Sequence, residues 1–276
     1  MKKILALILA LVMALTLVAC GGGNEVVQEE VAQNEVADSD AAYITDKGTL
    51  TIGMTLFAPM DYMDENNELT GFEVDFGKAV CEKLGLTPDF IEIDWSAKET
   101  ELAAKNIDCI WNGMTITPER AENMSISNAY MTNKQVVVAK AENADKFATS
   151  VADAIVVAEA GSAGEELATS EAFFADANFT PVDSMAKALM DVAAGTSDVA
   201  IVDYVASIGS IGEGTDFEDL VVVATEDFSP EEYGIAFRKG SDMTEKVNAV
   251  ISELVADGTL AEIAAKYKLE AVLSAK

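Results

Sequence analysis

Histidine is absent from this 276-residue chain. Without imidazole there is no Ser-His-Asp triad, no Cys-His pair and no zinc site of the usual composition. Any catalysis falls to carboxylate, lysine, tyrosine or thiol. Arginine is nearly absent too: only Arg120 and Arg238 occur, beside 16 lysines. Basic residues total 18 against 48 acidic ones, and the formal net charge is −30 at pH 7. Such a surface repels phosphate backbones, which excludes nucleic acid as a partner, and it disfavours docking of the globular part on anionic lipid. The bland meaning of the charge is a well-solvated secreted surface. Aromatic residues make up only 7%, yet half of the residues are apolar, enough for two lobes of ordinary size.

Long apolar runs are missing as well, with one exception. After Lys2 and Lys3, Ile4 to Ala19 is apolar except for Thr16. That is short for a membrane span, which needs roughly 20 apolar residues, and it fits a signal peptide. The run ends in Leu17-Val18-Ala19-Cys20 before three glycines and resembles a bacterial lipobox, whose cysteine becomes the lipidated first residue of the mature chain. The competing reading is an ordinary signal peptide with an incidental cysteine. Residues 1–19 are expected to be the signal peptide and Cys20 the lipidation site, anchoring an extracytoplasmic protein to the cell membrane. Residues 20–42 are acidic, without basic or aromatic side chains, and are expected to form a disordered tether. Two cysteines remain. Oxidation to a disulfide is allowed in that compartment, but the apolar company of Cys81 and Cys109 favours two buried thiols. Two lone thiols make no metal site, and no cofactor motif is present.

The rest of the chain alternates between strand and helix signals. Thr49 to Met54 reads as a strand. Phe72, Phe76, Ala79, Val80 and Leu84 recur at helical spacing, with Gly85 as a stop. Phe90 to Asp94 and Ile107 to Trp111 read as strands around a helix from Ala97 to Lys105. A second module follows: strands at Ile155 to Glu159, Phe179 to Val182, Val199 to Val202 and Leu220 to Ala224. Its helices run from Gly164 to Phe173 and from Ser184 to Ala194. Two such modules predict two α/β lobes, each a mostly parallel sheet flanked by helices. Gln135 to Lys140 and the chain around Val223 to Ala236 are the expected crossings between lobes. Helices at Thr244 to Ala256 and Leu260 to Tyr267 close the chain. The glycine-rich stretch Gly209 to Gly214 has no buried strand before it and no basic partner, and reads as a loop.

The stretch Trp111-Asn112-Gly113-Met114-Thr115-Ile116-Thr117-Pro118-Glu119-Arg120 resembles the signature of the polar amino acid-binding proteins of ABC importers, the bacterial extracellular solute-binding proteins of family 3. Around it, in the family's order and spacing, stand Gly71-Phe72-Glu73-Val74-Asp75, Asn106-Ile107-Asp108, Glu159-Ala160-Gly161-Ser162 and Glu231-Glu232-Tyr233-Gly234-Ile235-Ala236. The resemblance covers about Lys47 to Leu269. It implies the type II periplasmic-binding-protein fold with a ligand cleft between the lobes. The first lobe would be residues 43–136, the second 137–225, and 226–276 would return to the first.

The resemblance also implies roles for residues. Arg120 would grip a ligand α-carboxylate, since a planar guanidinium makes two parallel hydrogen bonds where an ammonium cannot. The bland alternative is a surface arginine paired with Glu119 or Glu122. The Thr115 hydroxyl and backbone N–H groups would assist, with Asn112 and Gly113 also in contact. Ser162 and Ala163, where a strand turns into a helix, would meet the same carboxylate. Asp203 would take the ligand ammonium. Phe57 stands near the family's first cleft aromatic, and Trp95 and Tyr62 are further candidates for the wall; core packing is the alternative for all three. Glu159 matches a variable position lining the second lobe, where it would meet a cationic or amide side chain or serve in a structural salt bridge.

The implied function is that of a monomeric substrate-binding lipoprotein. It would capture a free amino acid by hinge closure and pass it to the permease and ATPase subunits of an importer. The chain itself carries no Walker motif. A polar, amide or cationic amino acid is expected, with cystine also possible. Two other classes stay open. Periplasmic dehydratases share the fold, and here only carboxylates such as Glu73, Glu101 or Glu159 would supply the acid. A sensor partner would present the loaded form to a separate receptor.

Overall fold

The computed structural model describes residues 39–275, apart from 224, 226 and 227. The expected signal peptide, Cys20 and most of the expected tether lie outside the described residues. The folded region begins earlier than expected. Helix α1 (Asp40–Lys47) is capped by the Ser39 hydroxyl, which accepts from the Ala42 N–H, and it buries Ala41 and Ile44. The last residues assigned to a tether, Asp40 to Ala42, are therefore helical. They lie where the acidic composition gives way to an apolar stripe.

The first sheet forms around β1 (Thr49–Met54), whose residues are almost all buried, as expected of a strand covered on both faces. A small ribbon of β2 (Tyr62–Met63) and β3 (Leu69–Thr70) leads into helix α2 (Phe72–Leu84). Next come β4 (Thr87–Glu92), helix α3 (Lys98–Ala103), β5 (Cys109–Ile110), helix α4 (Pro118–Asn123) and β6 (Met124–Ile126). The 3-10 turn Trp95–Ala97 precedes α3. Strand β7 (Met131–Asn133) then leads out of this lobe.

The second sheet starts with β8 (Gln135–Lys140) and continues through helix α5 (Ala144–Phe147), β9 (Ile155–Glu159), α6 (Ala163–Ser170) and β10 (Asn178–Val182). It is completed by α7 (Met185–Ala194), β11 (Val199–Asp203), α8 (Tyr204–Ser210) and β12 (Leu220–Val222). The chain returns through β13 (Glu231–Tyr233), which pairs with β7, to β14 (Ala236–Arg238), α9 (Met243–Ala256) and α10 (Thr259–Lys266).

Both sheets have five strands, ordered β4-β1-β5-β14-β6 and β10-β9-β11-β8-β12. In each, four strands run the same way and the fourth in the order runs opposite. The first three strands of each order run parallel, while β14 pairs antiparallel with β5 and β6, and β8 antiparallel with β11 and β12. The antiparallel members are the strands the chain enters on switching sheets. Gln135 to Lys140, expected as a crossing, is a buried strand of the second sheet, paired with β11 along its length. The crossing is shorter and lies just before it. Gly209 and Ser210, expected in a loop, end α8. Cys81 and Cys109 are buried free thiols, and burial pushes the Cys81 thiol up to about 12.

A buried carboxylate ties α1 to the first sheet. Asp108 is fully buried; it accepts from the Thr51 N–H at 2.8 Å and from Arg238 Nη2 at 3.3 Å, and pairs with Lys47. Arg238 also donates to the Ile107 carbonyl at 2.7 Å and to Asp40 of α1 at 2.7 Å. Truncating such a group strands two cations and a backbone donor. Asp108→Ala is expected to destabilise the fold by about 3 kcal/mol, read from urea unfolding midpoints.

Candidate functional site

Four strand ends meet across the gap between the sheets. The chain leaving β1 gives Thr55, and the chain leaving β5 gives Asn112 and Gly113. The last residues of β9 and β11 are Glu159 and Asp203. Ligands of open α/β sheets bind outside these carboxyl ends. The lobes stand closed upon each other. Lys98 Nζ of α3 donates to the Gly161 carbonyl of the opposite lobe at 2.9 Å, and a Cβ built on Gly209 would lie 2.8 Å from Pro59.

Arg120 lies on α4, which opens with Thr117 as its cap and Pro118 in its first turn. Only 5% of the residue is exposed. Its Nη1 donates to the Thr115 carbonyl at 2.9 Å, and its Nη2 reaches across the gap to Glu166 at 3.1 Å and to the Gly161 carbonyl at 3.5 Å. Glu166 is largely exposed, so a buried guanidinium is answered by a carboxylate that keeps its hydration. The expected surface pairs with Glu119 and Glu122 are not among the described ion pairs. Thr115 donates its hydroxyl to Glu231 at 3.0 Å.

Asp203 is buried between Tyr233, whose hydroxyl donates at 2.5 Å, and the Gln135 amide. The same amide donates to Glu231 at 3.2 Å, so a continuous polar chain runs Arg120, Thr115, Glu231, Gln135, Asp203. Burial, and then the charge of Glu231, lift the Asp203 carboxyl to about 7 against the pull of its Tyr233 and Gln135 hydrogen bonds. Glu159 is more buried still, with 2% exposed, and its Oε1 accepts no hydrogen bond. Burial, then the charge of Asp203, raise it to about 8.

Other expected contacts are committed elsewhere. Asn112 accepts from the Thr55 N–H and hydroxyl at 2.9 and 2.8 Å, and donates to the Thr55 carbonyl at 2.8 Å and to Asp61 at 2.9 Å. Its side chain pins the end of β1 to the end of β5. The Gly113 N–H donates to Glu73 at 2.9 Å. Gly113 has φ +54°, and a Cβ there would lie 2.9 Å from the Phe57 ring, so the position demands glycine on two counts. The Ser162 N–H donates to the Glu159 carbonyl at 3.2 Å, and the Ser162 hydroxyl accepts from the Glu165 N–H at 3.2 Å. Glu165 in turn takes the Gly161 N–H at 2.6 Å, so a carboxylate of the chain itself holds this turn. Ala163 is the first residue of α6. Phe57 and Trp95 are both buried, and Trp95 presents its ring to Lys98 Nζ at 4.9 Å. Tyr62 is half-buried.

Three arrangements had no counterpart in the sequence reading, although Glu73 and Glu231 stood in its motifs. Lys98 is buried in the first turn of α3, and burial, then the charge of Arg120, lower it to about 8. A cation in a helix's first turn opposes the macrodipole, and that misplacement was its signal. Gln135 and Glu231 link the two named charges. Asp61 and Glu73 form a buried acid pair behind Gly113, bound by the Tyr130 hydroxyl, and burial raises both.

This geometry stands beside close likenesses. Residues 50–270 match the family profile of the bacterial extracellular solute-binding proteins, family 3. The chain belongs to that family. It is 32% identical to the L-cystine-binding protein TcyA of Bacillus subtilis, over 97% of each chain. It is 26% identical to the arginine-binding extracellular protein ArtP of the same organism, over 97% of this chain and 98% of ArtP. Among solved structures, an ABC uptake transporter substrate-binding protein from Streptococcus pneumoniae with bound histidine superposes with a TM-score of 0.75. It is 29% identical and covers 86% of this chain and 99% of its own. The two-sheet architecture is thus that of the periplasmic amino acid-binding proteins.

The raised carboxyls set a pH dependence for the family member in its ligand-free state. Asp203 and Glu159 titrate near 7 and 8 when folded and near 4 when unfolded. Between those values the folded state holds protons that the unfolded state has released, so stability falls as pH rises. Melting temperature is expected to climb as pH drops from about 8 to about 5 at high salt, which screens the surface charge. A melting temperature that falls over that range would contradict the burial of these acids.

Proposed function

We propose that the chain is the substrate-binding component of an amino acid ABC importer. In this reading it captures a free amino acid between its lobes and delivers it to the permease, whose ATPase partner drives transport. The observation that carries the reading is the buried polar chain from Arg120 to Asp203. It sets a guanidinium from one lobe and a carboxylate from the other at the same closed gap. A zwitterion presents the complementary pair of charges.

The α-carboxylate takes the guanidinium edge that Glu166 now occupies, and the exposed Glu166 side chain withdraws to solvent at little cost. The α-ammonium takes Asp203, whose carboxyl the new charge returns to its ionised form. The Thr115 hydroxyl, free to turn from Glu231, and the start of α6 at Ser162 and Ala163 border the carboxylate. Phe57 and Trp95 wall the cleft. Asn112 and Gly113 act by positioning, since their polar groups serve the first lobe. Lobe one comprises residues 39–134 with the return from 228, and lobe two residues 135–223. Because the contacts come from both lobes, ligand favours the closed form by the bonds made only there. Cys20 anchors the monomer by lipid on the outer side of the membrane. The chain is read as a binder rather than an enzyme.

Arg120→Ala removes the charge-assisted bonds to the carboxylate. Such truncations cost about 2–5 kcal/mol, so the dissociation constant for the best amino acid is expected to rise at least about thirtyfold in calorimetry. Unchanged affinity would remove Arg120 from the site.

A further inference from the structure

The two α-groups of an amino acid account for Arg120 and Asp203 and leave Glu159 unanswered. Glu159 ends β9, is 2% exposed, and keeps one carboxyl oxygen without a hydrogen bond. No ion pair among the described residues includes it. The groups that face it are Asp203 from the neighbouring strand, and Thr55, Lys98 and Asp94 from the first lobe. Lys98 is the cation among them, and it is turned to the Trp95 carbonyl at 3.2 Å, the Gly161 carbonyl at 2.9 Å and the Trp95 ring. A buried carboxyl with an unused oxygen is costly, and in a ligand cleft it marks the place of a missing donor.

We propose that Glu159 reads the ligand side chain, and that the substrate class is amino acids whose side chain ends in a cation, a guanidinium or an ammonium. The proposal rests on the amino acid reading of the cleft. Strands β9 and β11 are parallel neighbours, and such strands lie about 4.8 Å apart. Both strands end at the gap, and the Glu159 carboxyl feels the charge of Asp203 there, which brings the two acids within reach of one ligand carrying two positive charges. Two adjacent buried acids repel, and a single ammonium at Asp203 would leave Glu159 unneutralised. An amide side chain can donate to the carboxylate, as the Gln135 amide does to Asp203, but it brings no charge to neutralise a second buried acid. A second zwitterionic head, as in cystine, would need a further cation for its carboxylate, and Lys98 is already committed to two carbonyls.

Calorimetry on the purified chain near pH 7 tests this with arginine, lysine, glutamine and cystine, in buffers of differing ionisation enthalpy. Arginine or lysine is expected to bind at least about tenfold tighter than glutamine. Glu159 holds its proton up to about pH 8 in the ligand-free cleft, so the cationic ligand should release up to about one proton more than glutamine does. In Glu159→Gln, checked for folding by its melting temperature, the affinity ratio should collapse toward one and the extra proton should vanish. Preference of the unaltered chain for glutamine or cystine overturns the proposal, as does a ratio that survives the substitution. The affinity ranking and proton count of the unaltered chain decide the matter even if the variant fails to fold. Binding of none of the four, nor of any other amino acid, would instead sink the underlying reading of the cleft.

Discussion

Buried negative charge is the constraint around which this protein is organised. Asp61, Glu73, Glu159 and Asp203 lie in or behind the cleft, each with its carboxyl raised by burial. Water would solvate them at no cost; the closed lobes do not. Each must hold a proton, be hydrogen-bonded, or meet a cation. Asp61 and Glu73 draw on Asn112, Tyr130 and the Gly113 N–H as donors within the first lobe, and one Asp61 oxygen stays without a partner. Asp203 takes a hydrogen bond on each oxygen, from Gln135 and from Tyr233. Glu159 is hardly settled at all. Of the two acids that end strands at the gap, Glu159 is the one left with an unbonded oxygen, and the proposed reading assigns that oxygen to the ligand.

The fold makes this possible by placing strand ends against strand ends. Buried strands deliver the acids of the second sheet to one edge with little freedom, and the capped helix α4 holds Arg120 on the first lobe. In the proposed reading, only the relation between the lobes changes on binding. The closed form is held by Lys98 and Arg120 on the Gly161 carbonyl and by Arg120 on Glu166, contacts made by cations of one lobe on acceptors of the other. They are few and partly exposed, which suits a joint that must reopen for release.

Much of this was legible in the sequence. Arg120 stood out as one of two arginines, placed after an ordered motif, and it is buried in the gap. Asp203 was implied by the family resemblance, and it is buried at the end of β11. The parallel strands of the first sheet were read at Thr49 to Met54 and, with shifted ends, at Phe90 to Asp94 and Ile107 to Trp111. What was not legible depends on partners far along the chain. Asn112 and Gly113 were expected to serve the ligand, but their partners Thr55 and Glu73 lie 57 and 40 residues earlier, and no local pattern reports that. The run Gln135 to Lys140 could be linker or strand on its own. It becomes a strand because β11, much later in the sequence, lies beside it. The helical start at Asp40 was hidden by acidic residues that look alike in a tether and in a capped first turn.

The central claim is that one guanidinium and one carboxylate divide the two ends of a zwitterion between them. Calorimetry with the preferred amino acid, its decarboxylated amine and its deaminated acid separates the two ends without altering the protein. Both analogues are expected to bind at least about thirtyfold more weakly than the parent, each having lost one charge-assisted contact. An analogue lacking either α-group that binds as tightly as the parent would contradict the account.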